Sequence, residues 1–202
     1  MKLILPYFII IIVLLQLCLR KNSKKYTKNN EDFWEKESQA NSVRKKDISS
    51  LDYITIPEDL LLPKTENSRI LKEWNNIQEL KTKKILNLTG YSNTDLKLEF
   101  GAANLTILTD CDNHFTALAK SVSKIGELLM QEGFTTEAVS FLEFGIQIKT
   151  DISTNYTLLA QHYADCGSPE KIDLLIAQAT QLKSLMKDSI IPNLNTIKSK
   201  TI

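Results

Sequence analysis

The chain has 202 residues, with 25 Lys and Arg against 24 Asp and Glu and a formal net charge of +1. That length suits one domain with an anchor, and the balanced charge excludes a whole-chain footprint for nucleic acid. Six Gly and five Pro are few, which favours long helices over a turn-rich β fold.

The first element in chain order is LILPYFIIIIVLLQLCL (Leu3 to Leu19), 17 residues without a charge. As a helix it rises roughly 26 Å, enough for a bilayer core with little tilt. It is therefore expected to be an uncleaved transmembrane anchor over residues 1–19. A cleaved signal peptide would need small residues at its end, and Leu17-Cys18-Leu19 supplies none. A lipoprotein cysteine at Cys18 would need a small residue before it, where Leu17 stands. Arg20, Lys21, Lys24, Lys25 and Lys28 follow the apolar run, against Lys2 before it. That bias places the C-terminal domain on the cytoplasmic side of a cell membrane, as a single-pass protein. The same cations set topology and lie near anionic headgroups.

Residues 20–65 read as a juxtamembrane basic segment, a short helix and an extended strap. Glu31 to Asp47 places acids early and bases late, which suits a helix dipole. Phe33 and Trp34 are expected to pack on the domain or dip into the interface. Pro57, Pro63 and several β-branched residues make Ile48 to Lys64 extended. Leu51, Tyr53 and Ile54 would lie in a groove of the helical domain or cap its first hairpin; a plain surface linker is the alternative.

Residues 66–113 read as degenerate helical hairpins. Ile70, Leu71, Trp74 and Ile77 recur at helical spacing from Asn67, with Gly90 as a stop. Leu96, Phe100, Ala103 and Ile107 form a second stripe, split at Gly101 and capped by Asn93 or Thr94.

Two later segments match at an offset of 34 residues: VSKIGELLMQEGFTTEAVSFLEFG (Val122 to Gly145) and YTLLAQHYADCGSPEKIDLLIAQA (Tyr156 to Ala179). Ile125 falls on Leu159, Gly126 on Ala160, Leu129 on Tyr163 and Gly133 on Gly167. Such a period predicts stacked helical hairpins. Ser168 and Pro169 suit a helix start. Leu182, Leu185, Met186 and Ile190 continue as the core stripe of a capping helix that Pro192 stops, and 193–202 reads as a tail.

These segments resemble the tetratricopeptide repeat (TPR). The first copy offers Val122, Ile125, Gly126, Leu129, Gly133, Ala138, Leu142 and Gly145. The second offers Tyr156, Leu159, Ala160, Tyr163, Gly167, Ile172, Ile176 and Ala179. Ile172 stands where the repeat has Ala, and Leu129 where it has an aromatic. The resemblance implies an all-α fold: an N-terminal transmembrane helix, a juxtamembrane helix, then a TPR-like α-solenoid, with residues 114–192 forming two repeats and a capping helix. It also implies a partner groove on the first helices, at Ser123, Glu127, Met130, Thr157, Gln161 and Ala164. That surface lacks the Lys and Asn set that clamps a C-terminal carboxylate, so a receptor for chaperone tails is not expected. The segments RKKDISSLDYITIP, KKILNLTGYSNTDLKLEFGAANLTILT and SLMKDSII are also similar to a group of single-pass bacterial, clostridial proteins with no assigned activity.

Chemistry-bearing residues are sparse. His114 and His162 have no partner at metal-ligand spacing. HExxH, GxSxG and GxxxxGK[ST] do not occur, and Asp110-Cys111-Asp112 reads as a polar turn. Cys18, Cys111 and Cys166 show no framework spacing and read as reduced thiols, with a Cys111–Cys166 disulfide as the alternative. The sequons at Asn87, Asn104 and Asn155 carry little meaning in a cytoplasmic domain. No enzymatic activity, cofactor, metal or nucleic-acid partner is expected. The expected function is a membrane-anchored TPR-like adaptor for a protein or peptide. The alternative is a structural subunit of a bacterial envelope complex, self-assembling as a homo-oligomer.

Overall fold

The computed structural model describes residues 4–200; within the first helix the side chains of 4–6, 8–10 and 21–29 lie outside the described residues. The described residues form eight α-helices: α1 (Ile4–Ser42), α2 (Ser68–Leu80), α3 (Asn93–Phe100), α4 (Leu105–Glu132), α5 (Thr135–Gln147), α6 (Ser153–Asp165), α7 (Pro169–Thr180) and α8 (Lys187–Ser199). A 3-10 turn at Ala102–Asn104 precedes α4, and no strand occurs among the described residues.

The fold is all-α, but the expected transmembrane helix needs correction. Helix α1 has 39 residues, yet among the described residues no helix is long and apolar enough to cross a membrane. From Ile11 to Leu19 the described apolar run rises only about 14 Å, roughly half a bilayer core. Arg20 then follows, and the helix continues through polar sequence to Ser42. Lys2, Leu3 and the side chains of Lys21, Lys24, Lys25 and Lys28, which entered the topology argument, lie outside the described residues.

The chain divides into two compact units. The first takes the residues up to Ile48 together with Ser92–Leu105. Here α3 starts in a capping box: the Ser92 hydroxyl accepts from the Asp95 amide, and the Asp95 carboxylate accepts from the Ser92 amide. Ser92, one position before the expected Asn93 or Thr94, makes the cap. Thr94 instead donates to Glu37 Oε2 at 2.7 Å. Lys36 pairs with Asp95 at 2.8 Å, and Lys97 pairs with Glu37 and donates to Asn41 Oδ1 at 2.9 Å. Lys36 and then the Ser92 contacts hold the Asp95 carboxyl down at about 2. Lys97 and Thr94 likewise hold Glu37 below its ordinary value. Gly101, at φ +91°, ends α3, and a Cβ there would overlap the Arg44 carbonyl group. Glycine is the residue that fits.

The second unit takes Ser49–Tyr91 and Thr106–Ile202. Its first apolar cluster joins Ile56 and Leu60 of the strap to Ile70 and Ile77 of α2, to Phe115, Val122 and Ile125 of α4, and to Phe141 of α5. Trp74 meets Phe141 edge-on, with centroids 5.9 Å apart. Helix α2 ends at Leu80, well before Gly90, because the following backbone finds partners outside any helix. Ile54 N–H donates to the Ile85 carbonyl at 2.9 Å, and Leu86 N–H to the Cys111 carbonyl at 3.2 Å. Leu88 N–H donates to Asp112 Oδ1 at 3.0 Å. Asp110 to Asp112 is therefore not a turn; it lies within α4 and receives this extended segment. Cys111 and Cys166 are free thiols.

The two late hairpins repeat in detail. Helices α5 and α7 start at Thr135 and Pro169, the same 34-residue offset. In the first turn Gly133 N–H donates to Met130 O at 3.2 Å and Phe134 N–H to Leu129 O at 3.0 Å. In the second, Gly167 N–H donates to Ala164 O at 3.0 Å and Ser168 N–H to Tyr163 O at 2.8 Å. Both glycines adopt positive φ, +85° and +66°, as this helix ending requires. The matched large residues point inward: Ile125, Leu129, Leu159 and Tyr163 are all buried. At the matched small positions, a Cβ on Gly126 would come within 2.5 Å of Leu142 Cδ2. A Cβ on Gly145 would take the place of the Asn155 amide nitrogen.

A third turn of the same kind joins α5 to α6, with Lys149 in the glycine position. Lys149 N–H donates to Ile146 O at 2.9 Å and Thr150 N–H to Gly145 O at 3.0 Å. Lys149 has φ +59° and is the one non-glycine residue at positive φ among the described residues. A side chain there costs about 1–2 kcal/mol.

Helix α8 packs on α6 and α7, with Ile190 and Leu194 buried in the second apolar cluster beside Leu142, Leu159, Ile172 and Ala179. Pro192 does not stop this helix but lies inside it. The carbonyl it leaves unbonded, on exposed Asp188 in the first turn, is open to water. Leu185 and Met186, expected in the core, are 85% and 43% exposed in the linker between α7 and α8. The Ser168 hydroxyl makes no capping bond.

Candidate functional site

The six residues expected to face a partner all lie on α4 and α6. Ser123 is buried. Glu127 accepts from Lys124 at 2.8 Å and from Gln131 at 3.4 Å. Met130 packs against both apolar clusters, and Ala164 against the second. The Thr157 hydroxyl turns back to the Ser153 carbonyl at 3.0 Å. Gln161 is exposed and donates to Asp165 at 2.9 Å. None of the six lines the cavities described next.

The concave surface lies instead over the second helices. A cavity of about 490 Å³ opens between α5, α6 and α7. Its floor is apolar: Ile146, Leu159 and Leu175, with the rings of Tyr156 and Tyr163. Both phenols are committed. Tyr156 donates to the Thr150 carbonyl at 3.1 Å, and burial pushes its hydroxyl up to about 12. Tyr163 donates to Glu143 at 2.6 Å, and burial together with that carboxylate raises its pKa. Lys171 stands 4.9 Å over the Tyr163 ring. Leu174, 64% exposed, projects at the rim.

A second cavity, of about 250 Å³, shares Gln147, Lys149 and Gln181 with the first, so the two adjoin. Its walls are the ends of both second helices: Gln147-Ile148-Lys149 after α5 and Gln181-Leu182-Lys183 after α7. These triplets are themselves 34 residues apart. Asn87 fixes the first by donating to the Ile148 and Lys149 carbonyls at 3.1 Å each. Lys183 lies 4.7 Å over Tyr91, and its Cβ sits where a side chain on Gly90 would begin.

Chemically, the joined groove offers an apolar floor, free amides and excess positive charge. The side chains of Gln147, Gln178 and Gln181 make no hydrogen bond within the described residues, and Lys149, Lys171 and Lys183 form no ion pair there. Against these three cations stand Asp52 and Glu143, the latter engaged by Tyr163. The reading of first-helix positions missed this groove. The recurring Gln-Ile-Lys and Gln-Leu-Lys triplets were the available signal, in step with the repeat.

Another cavity, of about 580 Å³, lies between α2 and α4. Its Ser121 hydroxyl donates directly to Glu73 at 2.7 Å, and the Nδ1 of His114 lies 2.9 Å from the Lys84 carbonyl. Serine and histidine are thus each engaged elsewhere and form no nucleophile–base pair. His162 lies 3.8 Å from the Cys166 sulfur, one helical turn on. Among the described residues no group of three His, Cys, Asp or Glu could hold a metal ion. The sequon asparagines serve the fold: Asn104 donates to the Lys46 and Phe100 carbonyls at 2.8 and 2.7 Å, and Asn155 to the Leu142 carbonyl at 3.4 Å. Compared with known proteins, the chain matches no family model, no curated protein and no solved structure.

Proposed function

We propose that this chain is a TPR-like helical-repeat module for protein–protein interaction, an adaptor that holds a partner on its second unit. The observation that carries this reading is the groove over α5, α6 and α7. It adjoins a pair of repeated Gln-x-Lys turns and leaves amides and cations uncommitted. An apolar concavity with a few free polar groups is the usual form of a recognition site. The repeated hairpins give it a rigid frame. The six first-helix positions remain a second contact face within this proposal, with Gln161 its most exposed member.

Photo-crosslinking in the native cells tests it. A photoreactive residue is placed at Gln178 in the groove, at Gln161 on the first-helix face, and at Asn195 on α8 as a control. A discrete adduct with another protein from Gln178 or Gln161, absent from Asn195, is the expected result. Adducts only with the chain itself would move the assignment to a self-assembling structural subunit. No adduct at Gln178 or Gln161 would overturn the adaptor reading.

A further inference from the structure

We infer that the two adjoining cavities form one groove for an internal, extended peptide segment that presents a bulky apolar side chain followed closely by an acidic one. This rests on the interaction-module reading and gives it a ligand chemistry. The larger cavity, about 490 Å³ with its Leu159, Leu175 and Ile146 floor, accepts the apolar side chain. Exposed Leu174 closes over it from α7. The free amides of Gln147, Gln178 and Gln181 line the path between the cavities and match the alternating N–H and C=O groups of an extended backbone. Lys149 and Lys183, from equivalent turns of the two repeats, bracket the smaller cavity with only Asp52 against them. A carboxylate is the side chain that this wall selects.

Lys149 supplies an independent argument. The equivalent turn positions at the ends of α4 and α6 are Gly133 and Gly167, where positive φ is free of strain. At the end of α5 the same backbone carries a lysine, which strains the turn and lines both cavities. Strain held at the shared wall of a groove points to a side chain retained for recognition. Replacing it by glycine should therefore separate stability from binding.

The full chain is titrated by fluorescence anisotropy against N-acetylated, C-amidated octapeptides. One position is Phe, Leu or Gly; the second position after it is Glu, Gln or Lys; the rest are Ser and Ala. Blocked ends remove any terminal carboxylate. Peptides with Phe or Leu and Glu should bind best, and Glu to Lys should cost about ten-fold. Lys149→Gly should weaken the Glu peptides about five-fold, leave the Gln peptides unchanged, and raise Tm by about 2–4 °C. Lys183→Gln should give the same loss in binding without the rise in Tm. Leu174→Glu, at an exposed position, should remove binding of all of them. No binding by the unaltered chain, a preference for Lys peptides, or equal binding by Lys149→Gly would overturn the inference. An adduct in cells from Gln178 or Gln161, alongside any of those results, would leave the adaptor reading standing and remove only this ligand.

Discussion

The two units of this chain are held by different physics. In the first, α1 meets α3 through Lys36–Asp95, Glu37–Lys97 and the Thr94 hydroxyl. In the second, two apolar clusters run from the strap through α2 to α8. Polar contacts at a surface are directional but are weakened by salt and pH. Buried apolar contacts are indifferent to both and sensitive to volume. The second unit, which carries the groove, is thus the stiffer platform, and the first the one that responds to its medium.

The largest test of that contrast is Phe141→Ala. Phe141 is fully buried and meets Trp74 edge-on. Its truncation should lower stability by about 3–5 kcal/mol in urea unfolding; a loss below about 1 kcal/mol would contradict an apolar origin of the second unit's stability. Gly145→Ala comes next. The added methyl must displace the Asn155 amide from the Leu142 carbonyl, for a loss of about 1–3 kcal/mol. The same urea titration reads it, and an unchanged midpoint would show that Asn155 can move away freely.

Titration should separate the units without mutation. Asp95 has a folded pKa of about 2, and Glu37 is also lowered. Their contribution is complete above the ordinary carboxylate range and is lost as pH falls from about 4 to about 2. Chemical shifts of α3 should move toward coil in that window while those of α6 hold. Tyr156 shifts the other way, to about 12. Its contribution is complete below about 10 and is lost as pH rises to about 12, so tyrosinate absorbance and loss of α6 should appear together there. Loss of α6 before α3 in acid would reverse the assignment. The smallest effect belongs to Lys36→Gln. That pair is 51% and 42% exposed, so the melting temperature should not move measurably, and only the acid transition of α3 should shift upward.

The hairpins were readable because their signal is local. Matching residues 34 apart, with glycine at each turn, fixes helix, turn and inward face together. The segment from Lys83 to Leu88 was unreadable because its partners, Cys111 and Asp112, lie far along the chain. Helical spacing past Thr180 also misled. Leu182 turns into the core, but Leu185 and Met186 sit in a linker where spacing no longer dictates direction. Lysine has no preference for positive φ, so nothing in Lys149 itself announced its turn. The groove was missed for a related reason: the resemblance directs attention to first helices, whereas the free amides and cations lie at the ends of the second ones.

The identical closure of the turns at Gly133 and Gly167 makes this part of the chain extensible. A tandem duplication of residues 135–168 would join Ser168 to Thr135, so the new junction reproduces a connection of turn to helix that already exists. Growth by such copying would lengthen the array by one whole hairpin and carry along another Gln-Ile-Lys triplet. The number of contact points could then rise in discrete steps, with no new fold to be invented at the seam.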